Sequence, residues 1–73
     1  MNAVKAFLRA NGFSRSKKNI YVNDKCSVMI NLGSYRVVAN KWSVFSNDLN
    51  IYWLIGVLTY YGYMDKNYKQ LNK

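Results

Sequence analysis

From Ile20 to Phe45 the apolar residues recur at every second position, and this period of two restricts the fold more than any other feature. Successive side chains on a strand point to opposite faces, so the pattern specifies strands with one buried face. Ile20 and Val22 alternate with Tyr21 in a first strand. Cys26, Val28, Ile30 and Leu32 alternate with Ser27, Met29 and Asn31 in a second. Tyr35, Val37 and Ala39 alternate with Arg36 and Val38 in a third. Asn23-Asp24-Lys25 is turn chemistry, and Gly33-Ser34 is a two-residue hairpin turn of the glycine-first kind. A turn there pairs Leu32 with Tyr35, Ile30 with Val37 and Val28 with Ala39, and all six are apolar or aromatic on one face. Asn40-Lys41 turns the chain once more, pairing Ala39 with Trp42 and Val37 with Val44. A short fourth strand over 42–45 therefore has room to form.

The period is helical on both sides of this region. Val4, Phe7 and Leu8 form the apolar stripe of a helix over residues 2–11, with Asn2 as its cap and Lys5 and Arg9 on its solvent face. Gly12-Phe13 is a helix stop, glycine supplying the left-handed residue and phenylalanine folding back on the last turn. Ser14-Arg15-Ser16-Lys17-Lys18 reads as a polar basic loop. Ser46-Asn47-Asp48 starts a second helix that runs to about Tyr61 and carries no charge from Leu49 to Met64. Leu54, Ile55, Leu58 and Tyr61 make one stripe on it, and Leu49, Trp53, Val57 and Tyr60 the neighbouring one. Gly56 costs a helix interior about 1 kcal/mol against alanine, which predicts close approach to the sheet there. Gly62-Tyr63 repeats the stop of Gly12-Phe13. The predicted class is α+β, αβββα, with a three-stranded antiparallel sheet and both helices packed on one face. Residues 1–64 form this single domain and 65–73 a basic C-terminal tail.

Composition narrows the function. The chain has 73 residues, 11 Lys+Arg against 3 Asp+Glu, and a net charge of +8. At this length folding buries only about 60% of the unfolded surface, so the core is thin. Histidine, glutamate and proline are absent, and Cys26 is the single cysteine. That excludes an internal disulfide and the usual zinc ligand sets. It also removes the commonest general bases. Asp24, Asp48 and Asp65 share no spacing that would group them for acid–base or metal work. No catalytic residue, metal ligand or cofactor is therefore expected, and the chain is read as no enzyme. Lys5 and Arg9 interrupt the N-terminal apolar run, which argues against a signal peptide. The run from Ile51 to Tyr61 falls short of the roughly 20 residues of a membrane span. The expectation is a cytoplasmic protein without membrane contact.

Two sets of residues are candidates for binding. The positive charge suits a polyanion or an acidic protein surface; its members are Arg9, Arg15, Lys17, Lys18, Arg36, Lys66 and Lys69, densest at 15–18. Lys25 and Lys41 are read instead as solvated turn residues. The second face of the sheet carries Tyr21, Met29, Val38 and Phe45 together with Arg36, residue types enriched at protein interfaces. A partner protein or a second copy of the chain fits that face best, and base stacking by single-stranded nucleic acid is a further reading. Tyr52, Trp53, Tyr60, Tyr61 and Tyr63 are read as core and rim, and Cys26 as a small buried hydrophobe.

Element order, length and basicity resemble the double-stranded-RNA-binding domain, whose second helix begins with lysines that grip phosphate. Here Asn47-Asp48-Leu49-Asn50 occupies those positions. Phe7-Leu8-Arg9-Ala10-Asn11-Gly12-Phe13 is similar to the first helix of the HicA-type toxins, which cleave RNA with a histidine. Here Lys17-Lys18-Asn19-Ile20 follows and no histidine exists, so the resemblance implies the topology without the cleavage. A small basic chain with AT-rich coding bias also resembles the accessory proteins of phages and prophages, many of which inhibit a host enzyme or a CRISPR effector. That resemblance implies a non-enzymatic inhibitor with a host protein or ribonucleoprotein as partner. The alternative is a free-standing RNA- or DNA-binding module.

Overall fold

Antiparallel pairing extends over more of the chain than its alternation marks. The structure, a computed structural model, describes residues 3–69. The elements are α1 (Ala3–Ala10), β1 (Ser14–Lys17), β2 (Ile20–Val22), β3 (Ser27–Asn31), β4 (Ser34–Val38), β5 (Ser43–Phe45) and α2 (Ile51–Tyr60). The strands form one five-stranded antiparallel sheet in chain order. The α+β class stands, but the three-stranded αβββα sheet is corrected to five strands. The element order shared with the double-stranded-RNA-binding domain and the HicA-type toxins is accordingly not the one formed.

Two segments account for the difference. Ser43–Phe45 supplies β5, paired Val37 with Val44 and Arg36 with Phe45, the register its turn chemistry predicts. Ser14–Lys17, expected as a loop, is an edge strand whose residues are all exposed. An edge strand with no buried side chain has no apolar alternation to announce it, and its charges discourage further strand pairing. It reaches β2 through the Lys18-Asn19 turn, where Asn19 takes a left-handed φ of 67°, a conformation asparagine tolerates better than most residues.

The β3–β4 hairpin also differs in its turn. Asn31 pairs with Ser34, Ile30 with Tyr35 and Val28 with Val37, so Leu32-Gly33 is the two-residue loop. Gly33 has φ 84°, and in this turn glycine occupies the second central position, where type II turns demand it. Leu32, expected in the strand, lies at the tip and is exposed. The slip changes partners but not faces, because both pairings keep even-numbered β3 residues opposite odd-numbered β4 residues.

Two layers result. Val4, Phe7 and Leu8 of α1, Phe13, and Leu54 and Leu58 of α2 join Tyr21, Val28, Ile30, Tyr35 and Val37 of the sheet in one buried cluster. The stripe on α1 is the predicted one, while Asn2 as its cap lies outside the described residues. Tyr21 corrects the sequence reading. Its partners are Arg15 and Val28, which put it on the helix-covered face, and it is 2% exposed. The three-residue strand alternates the other way from its expected phase, with half-buried Ile20 and Val22 facing outward.

Helix α2 begins later than expected. Ser46 is drawn into the sheet: its N–H donates to Tyr35 O at 2.9 Å, and its hydroxyl accepts from Tyr35 N at 3.2 Å and donates to Asp48 O. Asn50 caps the helix instead, its Oδ1 accepting from Tyr52 N and Trp53 N. Both helices end in the same way. Phe13 N donates to Leu8 O at 3.0 Å and Tyr63 N to Leu58 O at 2.8 Å, across Gly12 and Gly62 with φ of 92° and 75°. These are Schellman closures.

Gly56 departs from expectation. It is exposed, and a Cβ built on it meets nothing within 4 Å, so it makes no close approach to the sheet. Gly56→Ala therefore stabilises the fold by about 0.5–1 kcal/mol through helix propensity. Gly62→Ala, forced into a left-handed residue, destabilises it by about 1–2 kcal/mol. Urea unfolding of the two variants beside the parent chain reads both signs.

Candidate binding surfaces

Cross-strand register assigns every sheet residue to a face, because paired residues share one. The covered face carries the row Arg15, Tyr21, Val28, Val37, Val44 across all five strands. The outer face carries the parallel row Lys17, Ile20, Met29, Arg36, Phe45. Val22, Ser27, Val38 and Ser43 lie beside it. No helix of the described residues packs here. Phe45 is 58% exposed, and Arg36, also exposed, holds its guanidinium 5.6 Å from the Phe45 ring centroid. Cation and ring stabilise one another in that geometry.

Of the proposed interface residues, Met29, Val38 and Phe45 thus share one face with Arg36, whereas Tyr21 belongs to the core. The basic set is dispersed. A bulge between Arg15 and Lys17 sends the two to opposite faces. Arg9, in the last turn of α1, lies 5.7 Å from the Tyr21 ring centroid, so Arg9 and Arg15 flank the covered side. Lys17 ends the outer row, and Lys18 sits in the turn. Lys66 is exposed beyond α2. Lys69 is held at its backbone, its N–H donating to Asn11 Oδ1 at 2.7 Å and its carbonyl accepting from Asn11 Nδ2 at 2.9 Å. Tyr68 beside it meets Phe7 edge-on at 6.0 Å. The cations of the 15–18 segment are therefore divided between the two faces of the sheet and its turn.

A second surface was not among the sequence candidates. Beyond the end of α2, Trp42, Tyr61 and Tyr63 gather into a triangle of rings. Trp42 lies 4.6 Å from Tyr61 and 5.8 Å from Tyr63, and Tyr61 lies 5.9 Å from Tyr63. Tyr63 is within 24° of parallel to both other rings. Next to Trp42 and Tyr63 opens a cleft of about 400 Å³ lined also by Lys25, Ala39, Asn40 and Lys41. On the other side of Tyr61 a shallower apolar depression is lined by Tyr52, Trp53, Gly56, Val57 and Tyr60. The tyrosines read as core and rim are thus largely rim. The sequence cue was Lys41-Trp42 at a turn facing a Gly-Tyr helix stop, and only the fold joins them.

Asn23 sets this corner. Its Oδ1 accepts from Lys25 N at 2.8 Å and Cys26 N at 2.9 Å, closing the β2–β3 turn, while its Nδ2 donates to Tyr63 O at 2.8 Å. Lys25 Nζ adds a bond to Gly62 O at 3.2 Å, placing a cation on the carbonyl end of α2 where the helix dipole favours it.

Cys26, the buried hydrophobe expected, lies inside this corner. Burial, with the Asp24 carboxylate second, pushes its thiol up to about 11. No group of three or more His, Cys, Asp or Glu that could hold a metal exists among the described residues. None of their helices is long and apolar enough to cross a membrane. Compared with known proteins, the chain matches no family, no curated protein and no solved structure.

Two outcomes follow for this corner. Asn23→Ala, which removes three hydrogen bonds from a part-buried site, destabilises by about 2–3 kcal/mol; Asn23→Asp, which keeps the turn and loses the bond to Tyr63, costs about 1 kcal/mol. Urea unfolding followed by tryptophan emission measures both. Cys26 resists thiol reagents at neutral pH until the chain unfolds. Between pH 9 and about 11 the unfolded chain holds fewer protons than the native one, so stability falls as pH rises. Cys26→Ala flattens that slope.

Proposed function

We propose that this chain is a non-enzymatic binding protein of the phage accessory type, which inhibits a host protein or ribonucleoprotein such as a CRISPR effector nuclease. It would act in the cytoplasm of an infected or lysogenic bacterial host. The observation that carries this reading is the outer row Ile20, Met29, Arg36, Phe45, a mixed apolar and basic strip on a sheet face that no helix covers. Met, Phe and Arg are enriched at protein interfaces, where they supply large contact area. Lys17 and Arg36 make the strip complementary to a partner surface with acidic groups or phosphates. The absence of His and Glu supports binding over catalysis.

Capture from a host lysate before and after nuclease treatment tests this, with Met29→Glu and Phe45→Ala as outer-face variants. A specific host protein retained after nuclease, and weakened at least tenfold by Met29→Glu, is the expected result. Capture that nuclease abolishes belongs to the alternative, a free-standing RNA- or DNA-binding module. Capture indifferent to both variants removes the outer face from the reading.

A further inference from the structure

We infer that the aromatic corner at the end of α2 is a second binding site, taking a short stretch of single-stranded nucleic acid. It lies away from the outer sheet strip and does not depend on the function proposed for that strip. Three features meet there. Tyr63 stands near-parallel to Trp42 and Tyr61, and Tyr61 is half exposed. Tyr61, braced by Trp42, Tyr63 and an edge-on Tyr60, is the ring with open surface on which a base can stack irrespective of sequence. Lys25 and Lys41 line the adjoining cleft and supply positive charge beside the rings, as a phosphate backbone requires. Asn40, in the same lining, brings an amide able to donate to and accept from a base edge.

The cleft lining contains no acid, so nothing in it repels a phosphate. The neighbouring depression over Tyr52, Trp53 and Tyr60 is uncharged, so a strand that enters at Lys41 and crosses Tyr61 would lay a following base on α2. A duplex does not fit the same chemistry, because its bases are already stacked and present no free faces. RNA and DNA share the recognised groups, a base face and a phosphate.

Titration of the full chain with fluorescein-labelled dT12, rU12 and a 12-base-pair DNA duplex at low salt tests the site, with tryptophan emission as the second readout. Both single strands should bind and quench the emission, and the duplex should bind at least tenfold more weakly. dU12 titrated beside rU12, from which it differs only in the 2′-hydroxyl, then tells which sugar the site prefers. Lys41→Gln should weaken single-strand binding a few-fold and lower the log–log salt slope by about one. Tyr61→Leu should weaken it about tenfold and leave that slope unchanged, since stacking carries no counterions. Met29→Glu, on the outer sheet face, should reduce single-strand binding less than Lys41→Gln does, although both lower the net charge. The inference is overturned if neither single strand binds, if the duplex binds equally well, or if Lys41→Gln and Tyr61→Leu leave affinity unchanged while circular dichroism shows the parent fold. It is also overturned if binding falls in step with net charge wherever the substitution is made.

Discussion

Everything in this molecule rests on one thin apolar layer. Val28, Val37, Leu54 and Leu58 have no exposed surface at all, and α1 completes the layer with Phe7 and Leu8. A chain of 73 residues has enough helix to cover one face of a five-stranded sheet, and both of its helices are spent on the same face. Among the described residues the opposite face carries no helix. That face is mixed in composition, with Met29, Val38 and Phe45 beside Lys17 and Arg36. That is why the outer row carries the functional reading more firmly than the net charge does.

The parts of the fold that were legible in the sequence are those where burial and turn chemistry agree. The stripe Val4, Phe7, Leu8 on α1, the register of Val37 with Val44, and both Gly-aromatic helix stops follow from spacing alone. Where the two disagree, the sequence misleads in a consistent way. Leu32 continues an apolar alternation, yet Gly33 needs the second central position of the turn, and the turn prevails because Leu32 on the surface costs less than a strained backbone. Tyr21 stands between two aliphatics in a three-residue strand, too short for alternation to fix its phase, and pairing with Val28 decides it. Ser14–Lys17 buries nothing, so no hydrophobic period could have revealed β1.

The candidate sites were legible to a similar degree. Met29, Arg36, Val38 and Phe45 were grouped correctly because face assignment survives a two-residue change of partners. The basic segment at 15–18 was not, because a bulge reverses the facing of Lys17 relative to Arg15, and a bulge leaves no mark in composition. The aromatic corner was invisible for a different reason. Trp42 and Tyr63 are distant in sequence and belong to unrelated patterns, and the Asn23 amide that brings the β2–β3 turn to Tyr63 looks from the sequence like ordinary turn chemistry.

The clasp between Asn11 and Lys69 bears on how much chain is needed for the fold to close. These residues stand 58 positions apart, and Tyr68 next to the clasp covers Phe7, one of the most buried rings in the core. The contacts of the first helix therefore reach to residue 69 and do not stop with the second helix. A fragment ending at Met64 would keep every helix and strand named above, yet it would leave the Asn11 amide without its distant partner and a phenylalanine edge open to water. What looks like a basic appendage in the sequence is, as far as Lys69, the latch of the first helix.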